Sequence, residues 1–390
     1  MTPGWSMKLY RQFHPDRARK IGIYQRALQV SVGSDPGIPL VDLATMKHGG
    51  RSMIRGILST MLMLLLSGAM TSAFAQDSYQ GKTIRIVVGL AAGGGFDAYA
   101  RAIARHLGKQ LPGNPAVIVE NMPGAGSLIS ANHVYRVAKP DGLTIGHFVG
   151  GLFFNQLFGL PGIEFDARKF EYIGAPLADN PVCVLMKATG IDSMEKWLAS
   201  KTPVKMAGNA PGGVTDDIPK TLKAAIGLPV QVVSGYKGTA DMRMAAESGE
   251  VGGICLGWDS VRGTWRKGVE SREAKVIVQA MPNPHPDLPK IPLAISYAKS
   301  EEARQLIAVG IHSRSAVYRP YVLPPATPKR TVEFFRKAFT ATLQDPSFLE
   351  DAKKANLDVN PIAAEELQKE VSMIFSLKSS TVDKLKEILK

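Results

Sequence analysis

The stretch that most constrains the fold of this chain is a strand, a glycine-rich turn and a helix within residues 83–120. The β-branched run at 84–88 predicts a buried strand, and apolar residues at helical spacing over 98–107 predict a helix. Gly93, Gly94 and Gly95 permit positive φ between them, and Asp97 can cap the helix. Because the unpaired amides of a helix start carry partial positive charge, we expect this turn to bind an anion.

A dinucleotide-binding loop is the alternative interpretation of this turn. Gly93, Gly95 and Ala98 match the spacing G-x-G-x-x-[GA], and Glu120 closes the next predicted strand, where a ribose-binding acid would stand. Residues 89–92, however, separate the strand from the glycines, whereas the dinucleotide motif places its first glycine at the strand end. We therefore favour a small anion over NAD as the ligand.

The same arrangement recurs along the chain. A second strand at 116–119 leads into the small-residue turn 121–127, where amides and the hydroxyl of Ser127 stand at another helix start, and a third strand at 143–149 ends in Gly150. Strands that alternate with helices, with glycines where the strands end, predict parallel α/β sheets whose loops gather on one edge.

The pattern breaks at residues 178–181 and then begins again, which indicates a second domain. Further strands are predicted at 182–186, 204–207, 230–233, 251–256 and 276–280. The segment 318–328 is predicted to be a long connection, and the remainder is helical. Because residues 76–390 exceed what one hydrophobic core usually serves, we expect domain 1 to comprise 76–178 and 306–390, and domain 2 to comprise 179–305.

Residues 1–75 predict a secretory signal peptide. Arg51 and Arg55 precede an apolar core at 57–66, and Ala73-Phe74-Ala75 forms an A-x-A cleavage site, so we expect cleavage after Ala75 and a periplasmic protein. An uncleaved membrane anchor is the alternative.

The segment before this signal is an over-extension, and we expect Met46 or Met53 to be the true start. Residues 1–75 contain nine of the 47 basic and three of the 34 acidic residues, which leaves a net charge of +7 for residues 76–390. Such a mild excess, spread along the chain, does not indicate nucleic-acid binding.

Several residues outside the glycine turns could take part in chemistry, but their sequence context favours structural roles. Cys183 and Cys255 lie in apolar runs, where we favour buried free thiols and keep a disulfide as the alternative. Asp216 and Asp217 are explained by helix capping better than by cation binding. The histidines of residues 76–390 lack the spacing of metal ligands, and the sequence has no H-E-x-x-H, C-x-x-C, G-x-S-x-G or Walker motif, so we expect neither metal, cofactor nor catalysis.

Several motifs together resemble the tripartite tricarboxylate transporter substrate-binding receptors, the TctC or Bug family. They are IRIVVGLAAGGGFDAYAR, VIVENMPGAGS, AKPDGLTIG, VSGYKGTAD and YVLPPATP. The resemblance implies a periplasmic Venus-flytrap receptor of two α/β domains, each a mainly parallel sheet flanked by helices. It also implies that the loops 91–97 and 123–127 hold a carboxylate through backbone amides, and that the loops 208–215 and 236–239 close over it. One departure is Phe96, where the family commonly has a small hydroxyl residue.

The expected ligand site combines these loops with residues at neighbouring strand ends. Phe96, Tyr236 and Trp258 are expected either to flank the ligand or to pack in the core, and the resemblance implies that Asp259 lines the cleft. The full set is Ala91, Gly93, Gly94, Gly95, Phe96, Asp97, Gly124, Ala125, Gly126, Ser127, Gly150, Asn209, Thr215, Tyr236, Gly238, Thr239, Trp258 and Asp259.

The function that follows is capture of a small organic carboxylate by a monomeric receptor, which delivers it to membrane permease subunits. A periplasmic enzyme acting on an anionic substrate in the same cleft, or a ligand sensor for a membrane kinase, are the alternatives. The loops are compatible with dicarboxylates, tricarboxylates, amino acids, aromatic acids and neutral amides, so the sequence leaves the ligand open.

Overall fold

Two mixed β-sheets flanked by helices form the framework of residues 79–389, which are the residues that this computed structural model describes. The predicted signal peptide and its cleavage site after Ala75 lie outside them. The strands are β1 (Thr83–Val88), β2 (Ala116–Asn121), β3 (Thr144–His147), β4 (Glu171–Gly174), β5 (Pro181–Met186), β6 (Val204–Ala207), β7 (Val230–Val233), β8 (Gly253–Gly257), β9 (Ala274–Gln279) and β10 (Tyr321–Leu323).

The helices follow the strands in regular alternation through most of this region. They are α1 (Gly95–Leu107), α2 (Leu128–Arg136), α3 (Leu152–Leu157), α4 (Met194–Leu198), α5 (Val214–Ile226), α6 (Thr239–Glu247), α7 (Trp258–Thr264), α8 (Arg266–Glu270), α9 (Glu301–Gly310), α10 (Lys329–Gln344), α11 (Pro346–Lys354), α12 (Ala364–Ile374) and α13 (Ser379–Leu389).

The two sheets have the same topology. The first has the order β2-β1-β3-β10-β4 and the second β7-β6-β8-β5-β9. In each sheet the first three strands are parallel, and the fourth, β10 or β5, runs antiparallel to both of its neighbours. Four of the five strands in each sheet therefore point the same way, and the expected mainly parallel α/β architecture is confirmed.

The strand β10 corrects one expectation, because it lies inside the segment 318–328 that was predicted to be a connection. It is only three residues long and stands between Pro320 and Pro324. A strand of this length has no readable periodicity, and its neighbouring prolines favour a loop. With β5 it carries the two crossings of the chain between the sheets.

The parallel strands place their carboxyl ends, and therefore the glycine turns, at one edge of each sheet. The turns after β1 and β2 meet at the edge of the first sheet, and those after β6 and β7 meet at the edge of the second. Parallel strands need crossover helices that return to the starting edge, so every turn that opens such a helix lies on the same side.

The hydrophobic core draws on both sheets. Ile84 and Ile145 of the first sheet and Cys183, Met206 and Ile277 of the second belong to one cluster of buried side chains. Helices bury one apolar face against it, as the helical spacing predicted. None of the helices within residues 79–389 combines the length and the hydropathy of a transmembrane span.

Cys183 and Cys255 form a disulfide, so the expectation of free thiols is wrong. The two residues lie directly opposite each other on the antiparallel pair β5 and β8, with their Cα atoms 4.0 Å apart. Neither apolar run shows by itself which strand will be its neighbour. The pairing follows from the crossing that inserts β5 beside β8, which only the topology reveals.

Candidate functional site

The turn before α1 presents backbone amides at the carboxyl end of β1. Helix α1 begins at Gly95 after an extended Gly94, and no side chain caps it. The amides of a first helical turn have no partner within the helix, so this start can receive an acceptor from outside. Asp97 was expected to cap the first turn of this helix. Its carboxylate instead accepts, at 3.0 Å, the N–H of Gly93, the residue before the N-cap Gly94.

Asp97 is fixed in this turn by a cation. Arg101, one helical turn later, donates to it from Nε at 3.0 Å and contacts it from Nη2 at 2.9 Å. Burial acts to raise the pKa of Asp97, but the bonds from Arg101 and Gly93 outweigh it and hold the pKa below its ordinary value. The carboxylate is thus ionised and paired, and it holds the turn through the N–H of Gly93.

The turn after β2 is conformationally unusual. Four successive residues have positive φ in the Ramachandran map. The values are 144° for Gly124, 45° for Ala125, 61° for Gly126 and 79° for Ser127. Ala125 and Ser127 are not glycines, and a residue held there costs on the order of 1–3 kcal/mol. Strain of this kind is concentrated at ligand-binding and catalytic turns.

Ser127 adds an unpartnered hydroxyl to this turn. Its side chain is fully buried, and its Oγ has no hydrogen-bond partner within the described residues. A Cβ atom added at Gly89, just beyond β1, would lie 2.5 Å from this Oγ, so the hydroxyl sits against the end of β1. Because buried hydroxyls are nearly always paired, this hydroxyl is a candidate donor to a ligand.

The loops of the two sheets meet directly. The N–H of Ala91 donates to the carbonyl of Lys237 at 3.2 Å. A Cβ atom added at Gly94 would lie 3.0 Å from Oγ1 of Thr239, and one at Gly126 would lie 2.7 Å from the Cβ of Ala210. Two pairs of predicted ligand loops, one pair from each sheet, are therefore brought together.

In the second sheet, Asn209 and Thr215 stabilise the loop that contains them. Asn209 donates from Nδ2 to the carbonyl of Tyr236 at 2.7 Å, which joins two predicted loops of this sheet. The hydroxyl of Thr215 accepts the N–H of Asn209 at 3.1 Å. Their side chains are buried and fix the course of the loop 208–215, which leaves its backbone as the surface toward the first sheet.

The carboxylates of Asp216 and Asp217 are occupied by protein donors. Asp216 accepts bonds from Ser234 and Thr215, and Asp217 accepts the N–H of Gly212 and pairs with Arg314. Burial raises the pKa of both groups. Asp217 therefore caps the backbone ahead of α5, as expected. Among residues 79–389 no group of three or more metal-ligating side chains is assembled.

The side chains of Tyr236 and Trp258 and the N–H of Gly150 are bonded to other protein groups. Tyr236 directs its hydroxyl to Glu250 at 2.5 Å. Trp258 donates from Nε1 to Asp287 at 3.0 Å and packs with the second sheet. Gly150 donates its N–H to the carbonyl of Tyr318 at 3.0 Å, against the segment before β10.

Phe96 packs inward, which is the core alternative for this residue. Its ring stacks on His147 at 4.7 Å and meets Tyr318 edge-on at 5.6 Å. His147 is itself a structural histidine, because Nδ1 donates to the carbonyl of Pro320 at 3.1 Å. Burial lowers the pKa of His147 to about 3, so the ring is neutral.

Asp259 belongs to a buried ion-pair network that the sequence did not reveal. Arg319 contacts Asp259 at 3.1 Å, donates to Asp179 at 2.9 Å and donates to Ser260 at 3.0 Å. All these groups are buried. The signal that could have found the network is a single arginine inside the apolar run AVYRPYVL, since a cation there needs a buried partner.

Comparisons with known proteins agree with this architecture. A family model described as the tripartite tricarboxylate transporter family receptor matches residues 99–388. A UPF0065 protein of Agrobacterium vitis is 32% identical over 174 residues, which cover 43% of this chain and 48% of the relative. The match thus spans about half the length of that relative.

Solved structures share the fold over most of the chain. The periplasmic binding protein BugD superposes with a TM-score of 0.65 at 24% identity, covering 80% of this chain and 98% of BugD. MatC from Rhodopseudomonas palustris with bound malate gives a TM-score of 0.62 at 20% identity, covering 79% of this chain and 99% of MatC. At these identities the likeness shows the two-sheet fold of periplasmic binding proteins.

Proposed function

The chain belongs to the tripartite tricarboxylate transporter receptor family, and on that premise we propose that it is a periplasmic receptor for a small organic carboxylate. The ligand is held between the edges of the two sheets and is passed to membrane permease subunits. The receptor acts as a monomer after removal of the signal peptide at Ala75.

This proposal depends on one observation. Two turns of the first sheet, 91–97 and 123–127, lie in contact with two loops of the second sheet, 208–215 and 236–239, and both turns have features that suit anion binding. One turn supplies the amides of the α1 start, and the other supplies a strained backbone and the unpartnered hydroxyl of Ser127. A hydrogen bond to a charged group contributes roughly 1.5–3 kcal/mol net. Three or four such bonds therefore approach the ~8 kcal/mol that corresponds to micromolar affinity, once closure costs are met.

We propose unequal parts for the residues predicted from the sequence, and we leave Gly150, Tyr236 and Trp258 out of the direct contacts because their polar groups bond to other protein residues. Direct contact falls to the facing backbone of 91–95, 124–127, 208–215 and 237–239. Five residues stabilise these loops without direct contact, because their side chains are buried in packing, hydrogen bonds or ion pairs. They are Phe96, Asp97, Asn209, Thr215 and Asp259.

Capture is proposed to work by closure of two lobes, 76–178 with 306–390 against 179–305. The sheet topology supports this division, since the chain leaves the first sheet after β4 and returns to it at β10. We propose one hinge at 178–181, where the chain leaves the first sheet. The boundary at 305/306 falls inside the continuous helix α9, so we place the second hinge after this helix, at 311–320. A ligand that touches both lobes only when they are closed shifts the equilibrium toward closure.

The test is a thermal-shift screen of residues 76–390 after unfolding and refolding to strip bound ligand. The panel contains malate, longer dicarboxylates, citrate, amino acids, benzoate, nicotinamide and NAD. A ligand at 100 times its Kd stabilises the native state by about 2.7 kcal/mol, which raises Tm by several degrees. Stabilisation by an organic acid supports the proposal, and stabilisation by NAD alone would overturn it.

Delivery and export need separate measurements. Reconstituted permease vesicles should accumulate the identified acid only when the receptor is added, whereas binding to a sensor kinase without such accumulation would favour the sensory alternative. Conversion of the acid during incubation with the receptor alone would favour the enzymatic alternative. N-terminal sequencing of the periplasmic form should begin at Gln76.

A further inference from the structure

A single segment between α9 and β10 contacts the ligand loops of both sheets. This segment, residues 311–320, contains two arginines that were not among the sequence-based candidates. Tyr318 accepts the N–H of Val214 at its hydroxyl, at 3.2 Å, and its ring meets Phe96 edge-on. The first turns of α1 and α5 thus both contact the same short segment of the chain.

Arg314 is the charged contact of this segment with the loop 208–215. Its side chain is 4% exposed and pairs with Asp217, whose side chain is 2% exposed. The same Asp217 accepts the N–H of Gly212 with both carboxylate oxygens, each at 3.1 Å. The guanidinium, the carboxylate and the loop backbone therefore form one continuous chain of contacts.

The first sheet holds the other side of this guanidinium. Arg314 lies over the ring of Phe154 in α3 at 4.1 Å, and the neighbouring Asn155 donates to the carbonyl of Pro211 at 2.8 Å. A Cβ atom added at Gly212 would lie 2.7 Å from Nδ2 of Asn155. Arg314 is therefore enclosed between an aromatic ring from one sheet and a loop-bearing carboxylate from the other.

These contacts determine what removal of the guanidinium would do. Asp217 would stay buried with its backbone donor and with the charge of Lys220, but without its paired cation, and a buried carboxylate that loses its ion-pair partner is strongly disfavoured. It would protonate or turn away, and in either case the two bonds from Gly212 would weaken. The loop would lose its orientation although no ligand contact had been changed.

We propose that Arg314 is a positioning residue for the ligand site, which through Asp217 holds the loop 208–215 in the geometry that closes on the carboxylate. The residue sets affinity without touching the ligand. The inference rests on the proposed function for its ligand, but the positioning itself is a property of the ligand-free protein.

The experiment compares Arg314→Met with Arg336→Met, a matched control. Arg336 is a partly buried arginine that donates to the carbonyl of Tyr172 and pairs with Glu365, away from this loop. Mass spectrometry measures the amide hydrogen exchange of peptides covering 208–215 in the ligand-free protein. Calorimetry measures the Kd for the acid that stabilises the wild type. We expect faster exchange in these peptides and a Kd weakened on the order of tenfold for Arg314→Met, and wild-type values of both for Arg336→Met.

A variant that folds with a lower Tm, but with wild-type exchange at 208–215 and a Kd within twofold of wild type, would show Arg314 to be merely structural. If Arg314→Met does not fold, Asp217→Asn breaks the same pair from its other end and is read by the same two measurements. A wild type that binds no acid of the panel overturns the proposed function, and the exchange measurement then still decides whether Arg314 holds the loop.

Discussion

Substitution of Gly126 by alanine tests whether the contact between the two sheets is part of the ligand-bound state. The added Cβ would lie 2.7 Å from the Cβ of Ala210, whereas carbon atoms in contact are about 3.5–4.0 Å apart. The loops must then separate by about 1 Å or deform. Overpacking of this size costs roughly 1–3 kcal/mol, so Kd should rise about 5- to 150-fold.

The backbone strain of this substitution can be separated from the clash. Gly126 has a φ of +61°, so alanine there also costs about 1–2 kcal/mol in any state of the protein. Gly227, at the far end of α5, has a φ of +70° with nothing within 4 Å of an added Cβ. Gly227→Ala should therefore lower the free energy of unfolding by a similar amount and leave Kd unchanged.

A second substitution, at Ala210, should relieve the clash that Gly126→Ala creates. Ala210→Gly removes the atom that the new Cβ would meet, and the next atoms of Ala210 lie at 3.7 and 3.9 Å, which are ordinary contacts. The double variant Gly126→Ala with Ala210→Gly should recover most of the lost affinity in calorimetry. A Kd for Gly126→Ala within twofold of wild type, or a double variant as weak as the single one, would refute the closed-state contact.

Three further predictions concern buried polar groups and the disulfide. Ser127→Ala should weaken ligand binding roughly 10- to 150-fold without lowering Tm, because it removes a hydroxyl that has no protein partner among the described residues and that would bond to the charged ligand; a lower Tm with unchanged Kd would contradict a ligand contact. Burial raises the pKa of Asp179 to about 6, above its ordinary 3.8, so its contribution to stability is fully present below about pH 4 and is lost as the pH rises through 6. Urea unfolding should therefore show the wild type gaining up to about 3 kcal/mol relative to Asp179→Asn between pH 7 and 4, and a pH-independent difference would contradict this. Replacement of Cys183 and Cys255 by alanine should lower the free energy of unfolding by up to about 4 kcal/mol, the loop-closure value for a separation of 72 residues, and an unchanged urea midpoint would show that the bond constrains little.

The shared topology of the two sheets explains how four separate turns come to lie together. Each sheet aligns its turns at the carboxyl ends of β1 and β2, or of β6 and β7, and the two edges face each other. The antiparallel strands β5 and β10 carry the chain from one sheet to the other.

Strand and helix positions near the glycine turns could be predicted from the sequence. The predicted strand at 84–88 corresponds to β1, and the strands predicted at 204–207 and 230–233 coincide with β6 and β7. Hydrophobic periodicity and glycine placement are local properties, and these elements depend on little else. The family resemblance was equally readable, since its motifs are short and contiguous.

Contacts between distant residues could not be predicted in the same way. The expectation of free thiols was wrong because Cys183 and Cys255 become neighbours only when β5 is inserted beside β8. The three-residue strand β10 was taken for a connection, because its hydrogen bonds come entirely from other parts of the chain. The ligand contacts of the individual loop residues stay predictions.

The sequence by itself determined the alternation of strands and helices, the positions of the glycine turns and the family to which the chain belongs. Tertiary structure alone decided that Gly126 meets Ala210, that Phe96 packs inward and that Arg314 reaches Asp217 across 97 residues. The physical reason is one of range. Backbone preferences act between neighbours in the chain, whereas a buried charge finds its partner only after the sheets have been formed and brought together.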